Sequence, residues 1–359
     1  MYKVTKPTLL LDKKKAIKNI KAMAQKAKAS GVNFRPHFKT HFSKEIGEWY
    51  REQGVKRITV SSIDMAVYFA SHGWDDITIA FPVNILQIDV LKHLAKVVQL
   101  GLVVDSHTAV ESINAEIESP IDVYIKIDTG YHRVGVWHEN TEEIKQLGEA
   151  IAEPHQFKGL LAHFGHTYSK TKKEEIQSIY SSGLAALNSL REELDKNLKI
   201  SIGDTPSCSL IEKFENVNEI RPGNFIFYDA MQAHIGSCQF EDIAVCLAAP
   251  VVAVYPERSE VVVHAGAVHL SKDKLDDEQG TYFGKIVALE EKGWSAPLKG
   301  YRVIGLSQEH GKISLPKDQI EKIEVGDVLG IIPIHSCLTA NLMKEYLTLR
   351  GEKIGTMHQ

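Results

Sequence analysis

The sequence has few cysteines, no long apolar run and no large excess of charge of either sign. Its four cysteines are scattered over 359 residues without a C-x-x-C pair, which argues against a disulfide framework and favours reduced thiols in a cytoplasm. No apolar stretch approaches the ~20 residues of a membrane helix, and the short run Leu9–Leu11 leads into charged residues, unlike a secretory signal. The formal net charge of -4 gives no basic field for nucleic acid. We therefore expect a cytoplasmic protein with neither a membrane nor a nucleic-acid partner.

The remaining composition is that of an ordinary globular protein. Hydrophobic residues make up 43% of the chain and charged residues 25%, which suffices for a sizeable core. A length of 359 residues allows one large domain and a smaller one.

Short β-rich runs alternate with helix-like stretches over residues 1–240. This alternation predicts parallel strands joined by crossovers, and about eight such units predict a TIM (β/α)8 barrel. An open doubly wound sheet is the alternative. The predicted strands are Val32–Pro36, Arg57–Val60, Asp76–Phe81, Gln99–Val104, Ile121–Ile127, Phe157–His163, Leu198–Ile202 and Glu219–Phe227, and the predicted helices include Ser43–Gln53, Ile63–Ser71, Ile85–Lys96 and Lys172–Asp195.

The pattern changes over residues 241–359. Helix-like stretches become rare, and the runs Ile243–Val254, Glu260–His264, Tyr301–Leu306 and Val328–Ile334 predict strands. Pro333 near the end of the last run predicts an edge strand or a strand terminus, because proline has no N–H for a ladder. We therefore expect a second, smaller C-terminal β-rich domain.

Polar residues follow several of the predicted barrel strands. The active site of a TIM barrel lies at the carboxyl ends of its strands, and phosphate commonly binds after the last two. Each segment alone has an ordinary interpretation, since a lysine after a strand is usually solvated and a Gly-Asp-Thr-Pro run is usually a turn. The segments are His37–His41, Asp128–Arg133, His163–Tyr168, Gly203–Ser207 and Arg221–Asn224.

The segment Arg35-Pro-His-Phe-Lys-Thr-His41 resembles the cofactor-lysine motif of the D-threonine aldolase and D-serine dehydratase family. Its members are pyridoxal-phosphate enzymes with the alanine-racemase-like fold. The resemblance implies pyridoxal 5'-phosphate as cofactor, a small amino acid as substrate and a homodimer. It continues in the family's order through Thr8–Asp12, Lys126–Gly135, Gly203–Ser207, Glu219–Asn224 and Ile332–Thr339.

The resemblance also implies roles for individual residues. Lys39 would carry the cofactor and act as the catalytic base. Hydroxyl and backbone N–H donors would bind the phosphate, an arginine would face the pyridine nitrogen, and a tyrosine would contact the ring. Besides the lysine, the residues expected to bind the cofactor are Thr205, Gly223 and Asn224 at the phosphate, Arg133 at the nitrogen and Tyr168 at the ring.

One position departs from the family pattern. Asp204 stands where a small residue is more usual. A carboxylate would be repelled by a phosphate, so we expect the Asp204 side chain to point away from it.

His335 and Cys337 form a candidate metal site. They are two residues apart, and on a strand their side chains would share one face. Imidazole and thiolate are good Zn²⁺ ligands, although a buried cysteine beside an ordinary histidine is the alternative. Dehydratases of the family hold zinc with such a pair, whereas the aldolases usually place an acidic residue second. Cys337 therefore implies a zinc-dependent dehydratase.

The activity that the resemblance implies is removal of water, then ammonia, from a small 3-hydroxy D-amino acid such as D-serine, with zinc as Lewis acid. An aldolase would instead release glycine and an aldehyde. An amino-acid racemase would need a second base, for which the sequence offers no clear candidate. A non-enzymatic pyridoxal-phosphate homeostasis protein would lack the β-rich domain and the histidine–cysteine pair. The D preference rests on the family alone, and serine, threonine and 3-hydroxyaspartate all fit.

Overall fold

The computed structural model describes residues 4–358, which fold into two compact units. The first contains Lys21–Lys39 and Ile46–Gly223. Of the described residues, the second contains 4–20, Thr40–Glu45 and 224–358. The division therefore differs from the expected one at residues 240 and 241.

The N-terminal strand explains part of this difference. Thr8–Leu11 pairs antiparallel with Val245–Tyr255 and parallel with Glu345–Thr348. Backbone hydrogen bonds thus place Thr8–Leu11 in the β-rich unit, a long-range pairing that the local sequence pattern cannot reveal.

The first unit is a closed barrel of parallel strands. A parallel bridge between His37 and Thr59 joins the two ends of the strand order and closes the sheet. The expected TIM-type barrel is confirmed, and the open-sheet alternative is excluded. In sheet order the barrel strands are Asn33–Phe34, Glu219–Ile220, Lys199–Ile202, Gln156–Ala162, Asp122–Asp128, Gln99–Val104, Asp76–Pro82 and Ile58–Val60, and Val136–Trp137 pairs with Asp122–Asp128.

Helices connect successive barrel strands. The helix Ile63–Ser71, expected over the same residues, begins where the Ser62 side chain accepts the backbone N–H of Met65, a side-chain N-cap. The helices that begin before or within the barrel are Lys13–Ala29, Lys44–Arg51, Ile63–Ser71, Ile88–Ala95, His107–Glu116, Thr141–Ala150, Lys173–Leu194 and Thr205–Leu210.

The last barrel strand is shorter than expected. It covers only Glu219–Ile220, whereas the sequence predicted a strand to Phe227. Pro222 cannot donate a ladder hydrogen bond, and Asn224–Ile226 forms a 3-10 turn. The residues that follow the strand therefore lie in a loop.

The second unit is built on a mainly antiparallel sheet, which confirms the expected β-rich architecture. Pro333 is the last residue of a strand inside this sheet, so it marks a strand terminus and not an edge. In sheet order the strands are Glu260–His264, His310–Ser314, Arg302–Leu306, Gly284–Val287, Val328–Pro333, Val245–Tyr255, Thr8–Leu11, Glu345–Thr348 and Lys353–Gly355.

Short elements complete this unit. Its helices are Ala230–Ile235, Ala267–Leu270 and Ser336–Met343, and two small hairpins pair Leu275–Asp277 with Gly280–Tyr282 and Leu289–Glu290 with Gly293–Trp294. Across residues 4–358, no helix has both the length and the apolar character that crossing a bilayer requires.

Gly159 lies where two barrel strands approach each other closely. A Cβ at this position would lie 2.0 Å from the carbonyl oxygen of Lys199 on the neighbouring strand. Because backbone cannot swing aside, Gly159→Ala should lower the free energy of unfolding by about 1–3 kcal/mol. Urea unfolding followed by circular dichroism measures the loss.

Gly305→Ala is the matched control, since this strand glycine would meet only side-chain carbons of Lys312, at 3.8 Å. Equal losses of stability in the two variants would contradict the assigned backbone clash.

Candidate active site

Lys39 lies on a short turn after the first barrel strand. The preceding residue, Phe38, is fully buried and packs against the rings of Tyr50, Phe69 and Trp74, with centroids 4.9–5.0 Å apart. Phe38 therefore anchors the turn, while Lys39 itself remains exposed.

The positive charge of Lys39 acts on two nearby histidines, His37 and His163. Burial, followed by the charges of Lys39 and Arg221, holds the pKa of His37 well below its ordinary value. Burial, followed by the charges of Arg133 and Lys39, does the same to the pKa of His163. Both rings are therefore neutral at neutral pH. The shared cations indicate that these strand ends converge at one end of the barrel.

Arg133 stands on the loop after the strand Asp122–Asp128. The carboxylate of Asp128 accepts the backbone N–H groups of Gly130, Tyr131 and His132 at 2.9–3.1 Å and so shapes this loop. The Arg133 side chain is exposed, and its guanidinium lies 5.2 Å from the ring centroid of Tyr131.

His163 connects two loops of the barrel rim. Its Nδ1 contacts the carbonyl oxygen of Gly203. Because a carbonyl only accepts, Nδ1 carries the proton and Nε2 keeps a lone pair. The ring lies near Tyr131 and Tyr168, with centroids 5.9 and 6.2 Å away. The sequence alone predicted no role for His163, because its partner Gly203 is 40 residues away.

Thr205 has an unpaired buried hydroxyl. The residue is fully buried, and Oγ1 has no hydrogen-bond partner among the described residues. Its backbone N–H donates to the Tyr168 hydroxyl at 3.2 Å. A Cβ on Gly203 would lie 2.8 Å from the carbonyl oxygen of Arg221, so only glycine lets the last two loops approach this closely. An unpaired donor in such a cradle fits an anionic ligand.

Asp204 is turned into the first turn of the helix Thr205–Leu210. Its Oδ1 accepts the Ser207 N–H at 2.7 Å and the Thr167 hydroxyl at 3.1 Å, so the carboxylate is used as a helix cap. Burial raises the pKa of Asp204 to about 6. The orientation agrees with the expectation that this side chain avoids a phosphate.

The sequence predicted that His335 and Cys337 lie on a strand. In the structure they lie instead at the start of a helix. The strand ends at Pro333, and His335 is the N-cap of the helix Ser336–Met343. The backbone N–H and the hydroxyl of Ser336 both donate to Asp229, at 2.9 and 3.2 Å. This distant carboxylate starts the helix, which local sequence could not show.

The two side chains nevertheless meet. The His335 ring forms a hydrogen bond with Cys337, and its Nδ1 lies 2.7 Å from Oδ2 of Asp273. Burial lowers the pKa of His335, but the hydrogen bonds that the ring donates to Asp273 and Cys337 outweigh it and raise the pKa to about 11. Thr40 Oγ1 contacts Cys337 Sγ at 3.3 Å. An imidazole and a thiol thus lie side by side, as two metal ligands would.

Asn224 directs its side chain to this pair. Its Nδ2 lies 2.6 Å from Oδ2 of Asp229, 3.1 Å from Oγ of Ser336 and 3.5 Å from Sγ of Cys337. The predicted phosphate contact of Asn224 would therefore have to come from its backbone N–H. Gly223 precedes it as a buried residue of the loop after the last barrel strand.

A second cluster of side chains that could bind a metal is better explained by hydrogen bonds among its members. Ligand atoms of His264, His269 and Glu309 lie within 4.8 Å of one another. However, Nδ1 of His269 accepts the Gly266 N–H at 3.1 Å, so Nε2 of the neutral ring carries the proton and faces Glu309. Since a metal ligand must be deprotonated, this group is better described as paired histidines and a carboxylate.

Comparison with known families covers both units. The model of the alanine racemase N-terminal domain matches residues 11–230, and a serine dehydratase domain matches residues 244–349. The barrel and the β-rich unit define the alanine-racemase-like fold, and the serine dehydratase domain identifies the protein as a pyridoxal-phosphate-dependent lyase. The chain belongs to the D-threonine aldolase and D-serine dehydratase family, which confirms the expectation from its motifs.

Individual relatives cover nearly the whole chain. D-serine dehydratase of Dictyostelium discoideum is 31% identical over 364 residues, 92% of this chain and 89% of the relative. The structure of D-threo-3-hydroxyaspartate dehydratase from Delftia sp. superposes with a TM-score of 0.91 at 27% identity and covers 99% of this chain and 98% of that one. D-threonine aldolase of an Arthrobacter species is 25% identical over 362 residues, 98% of this chain and 90% of the relative.

Two variants of a D-threo-3-hydroxyaspartate dehydratase have also been solved. One replaces a histidine and the other a cysteine two positions later, and the cysteine variant is in a metal-free form.

The buried charge of Asp204 predicts a pH-dependent change in stability. Because burial raises the pKa of Asp204 from 3.8 to about 6, the folded state binds this proton more strongly than the unfolded state. The contribution of Asp204 to the free energy of unfolding therefore falls as the pH rises from about 4 to 6. Asp204→Asn removes the charge but keeps an oxygen for the Ser207 N–H. It should raise the free energy of unfolding at pH 7, and the gain should shrink near pH 4. Urea unfolding at both pH values measures this.

Asp204→Ala is the control for the cap. It removes the capping oxygen as well and should be about 1 kcal/mol less stable than the Asn variant. If the wild type proved more stable than Asp204→Asn at pH 7, the hydrogen bonds of the Asp204 carboxylate would outweigh the cost of burying its charge.

Proposed function

We propose that this protein is a zinc-dependent dehydratase that removes water, then ammonia, from a small 3-hydroxy D-amino acid such as D-serine. The contact between His335 and Cys337 in a member of this family carries the proposal. Dehydratase relatives support it, and the substituted histidine and cysteine in one of them have the same spacing. By the same likeness, 3-hydroxyaspartate is a further candidate substrate.

Residues of the barrel, together with Asn224 directly after it in sequence, would hold the cofactor. Lys39 would bind it covalently, and the unpaired hydroxyl of Thr205 fits its phosphate, together with backbone N–H groups of Gly223 and Asn224. Arg133 would face the pyridine nitrogen and keep it unprotonated, because a guanidinium does not give up its proton. Tyr168, which contacts Thr205, would lie against the ring.

The proton at the substrate Cα is then the first to move. When bound, pyridoxal phosphate supplies an electron sink for the negative charge that develops at Cα. Lys39 Nζ, once displaced by the substrate amine, is the group that would accept the Cα proton. The neutral state of His37 and His163 means that neither ring adds a positive charge to compete with this base.

The β-hydroxyl of the substrate is a poor leaving group, so its departure needs a Lewis acid in addition to the cofactor. His335 and Cys337 would hold Zn²⁺, which prefers nitrogen and sulfur ligands, whereas Mg²⁺ and Ca²⁺ prefer oxygen. Two protein ligands leave coordination positions open for water and substrate. The metal would supply a Lewis acid at the departing oxygen.

Cleavage of D-threonine-type substrates is the second candidate. The likeness to the Arthrobacter D-threonine aldolase favours it, whereas Cys337 in place of an acidic residue argues against it. A homodimer, as the resemblance implies, is proposed as the assembly. All four cysteines are buried and unbridged, which supports a reducing, cytoplasmic compartment.

Borohydride reduction of the protein loaded with pyridoxal phosphate should attach the cofactor permanently to Lys39. Lys39→Ala should lose the visible absorbance of the bound cofactor. Peptide mapping by mass spectrometry identifies the labelled residue. Lys126 is the internal control, because burial and the charge of Arg221 lower its pKa to about 7 and so leave a reactive neutral amine. Label on Lys126 or on another lysine would overturn the assignment.

Removing the metal should abolish dehydration while leaving the cofactor bound. Cys337→Ala or treatment with a chelator should lower 2-oxo acid formation from D-serine by roughly 100-fold or more, because the Lewis acid is lost. Exchange of the Cα proton in D₂O should persist, since it needs only Lys39 and the cofactor. Cys238→Ala is the matched control, as both cysteines are 9% exposed in the same unit.

Three outcomes would contradict the proposal. Full dehydration by metal-free enzyme would remove the metal from the reaction. Glycine and an aldehyde as main products would assign the protein to the aldolases. A protein without metal whose activity is unchanged in Cys337→Ala would make Cys337 a packing residue.

A further inference from the structure

A carboxylate faces Nδ1 of the His335 ring. Asp273 Oδ2 lies 2.7 Å from Nδ1 of the His335 ring. A carboxylate accepts, so Nδ1 donates its proton to Asp273, and Nε2 is the nitrogen that binds a metal once it has released its own proton. We propose that Asp273 is a positioning residue, which fixes the tautomer and orientation of His335 for zinc. The proposal rests on the zinc site of the proposed function.

The position of Asp273 is itself fixed. Its backbone N–H donates to Ser271 Oγ at 3.2 Å, and Ser271 adopts a left-handed conformation with φ of 67°. One residue earlier, the carbonyl oxygen of Leu270 accepts the Thr339 hydroxyl at 3.4 Å. Thr339 lies on the helix Ser336–Met343, whose first turn contains Cys337. The turn that presents Asp273 is therefore tied to the helix that presents the thiol.

A similar pair elsewhere in the unit lacks a thiol. His264 Nε2 lies 3.3 Å from Glu309 Oε2, and these side chains are 44% and 48% exposed. The side chains of His335 and Asp273 are 39% and 40% exposed. If Asp273 acted only through its charge, removing Asp273 or Glu309 would change the zinc affinity by the same amount. A positioning role predicts that only the pair at Cys337 affects zinc binding.

The test compares zinc affinity of the cofactor-loaded variants. Asp273→Ala removes the acceptor, Asp273→Asn keeps a neutral one, and Glu309→Ala is the control. Equilibrium dialysis against zinc buffers with elemental analysis gives the dissociation constant, and melting temperature with cofactor content reports folding. Loss of such a partner typically weakens metal binding roughly 10- to 100-fold, so we expect this for Asp273→Ala, partial recovery for Asp273→Asn, and wild-type affinity for Glu309→Ala.

Wild-type zinc affinity in Asp273→Ala would overturn the inference. An equal loss in Glu309→Ala would do so as well, because the effect would then be general electrostatics. If Asp273→Ala does not fold, Asp273→Ser replaces it, since its hydroxyl is too short to reach the ring. A wild-type protein that binds no zinc would instead reject the proposed function, so the two failures are distinguishable.

Discussion

The buried guanidinium of Arg35 holds the part of the barrel that presents Lys39. The first barrel strand is only two residues long, so backbone hydrogen bonds alone fix it weakly. Arg35, 4% exposed, reaches Oε2 of Glu219 at 2.7 Å and Oδ1 of Asp76 at 2.5 Å, on two other strands of the barrel. Breaking a buried pair of this kind costs about 3–5 kcal/mol because a charge is left unpaired. Lys39 lies four residues later, so its position depends on this cross-link.

The same network extends to Arg221 in the barrel interior. Glu219 accepts the Ser201 hydroxyl, which in turn accepts Nε of Arg221, each at 2.7 Å. Burial lowers the pKa of Arg221 to about 10, which still leaves it charged at neutral pH. Arg221 and Lys39 act together on His37, so positive charge accumulates at this end of the barrel. Such a field suits a cofactor that carries a phosphate.

Sequence alone predicted the features that depend on local pattern. The strand Gln99–Val104 and the helix Ile63–Ser71 were predicted with the observed bounds, because side-chain periodicity sets both. The start of the helix after His335 depends on Asp229, over a hundred residues earlier. The partners of His163 and His335 are likewise distant in sequence. Local elements were therefore predictable, and the contacts that orient the candidate site residues were not.

Surroundings distinguish Cys337 from the other cysteines. Burial raises the pKa of Cys208, Cys238 and Cys246, so these thiols stay neutral and act as small apolar core residues. Cys337 Sγ has the Thr40 hydroxyl at 3.3 Å and the Asn224 amide at 3.5 Å. These polar contacts separate Cys337 from the three core thiols, and sulfur is a good ligand for zinc. A cysteine kept only for packing would gain nothing from these buried polar neighbours, whereas a ligand would, and this difference favours a metal site over a core thiol.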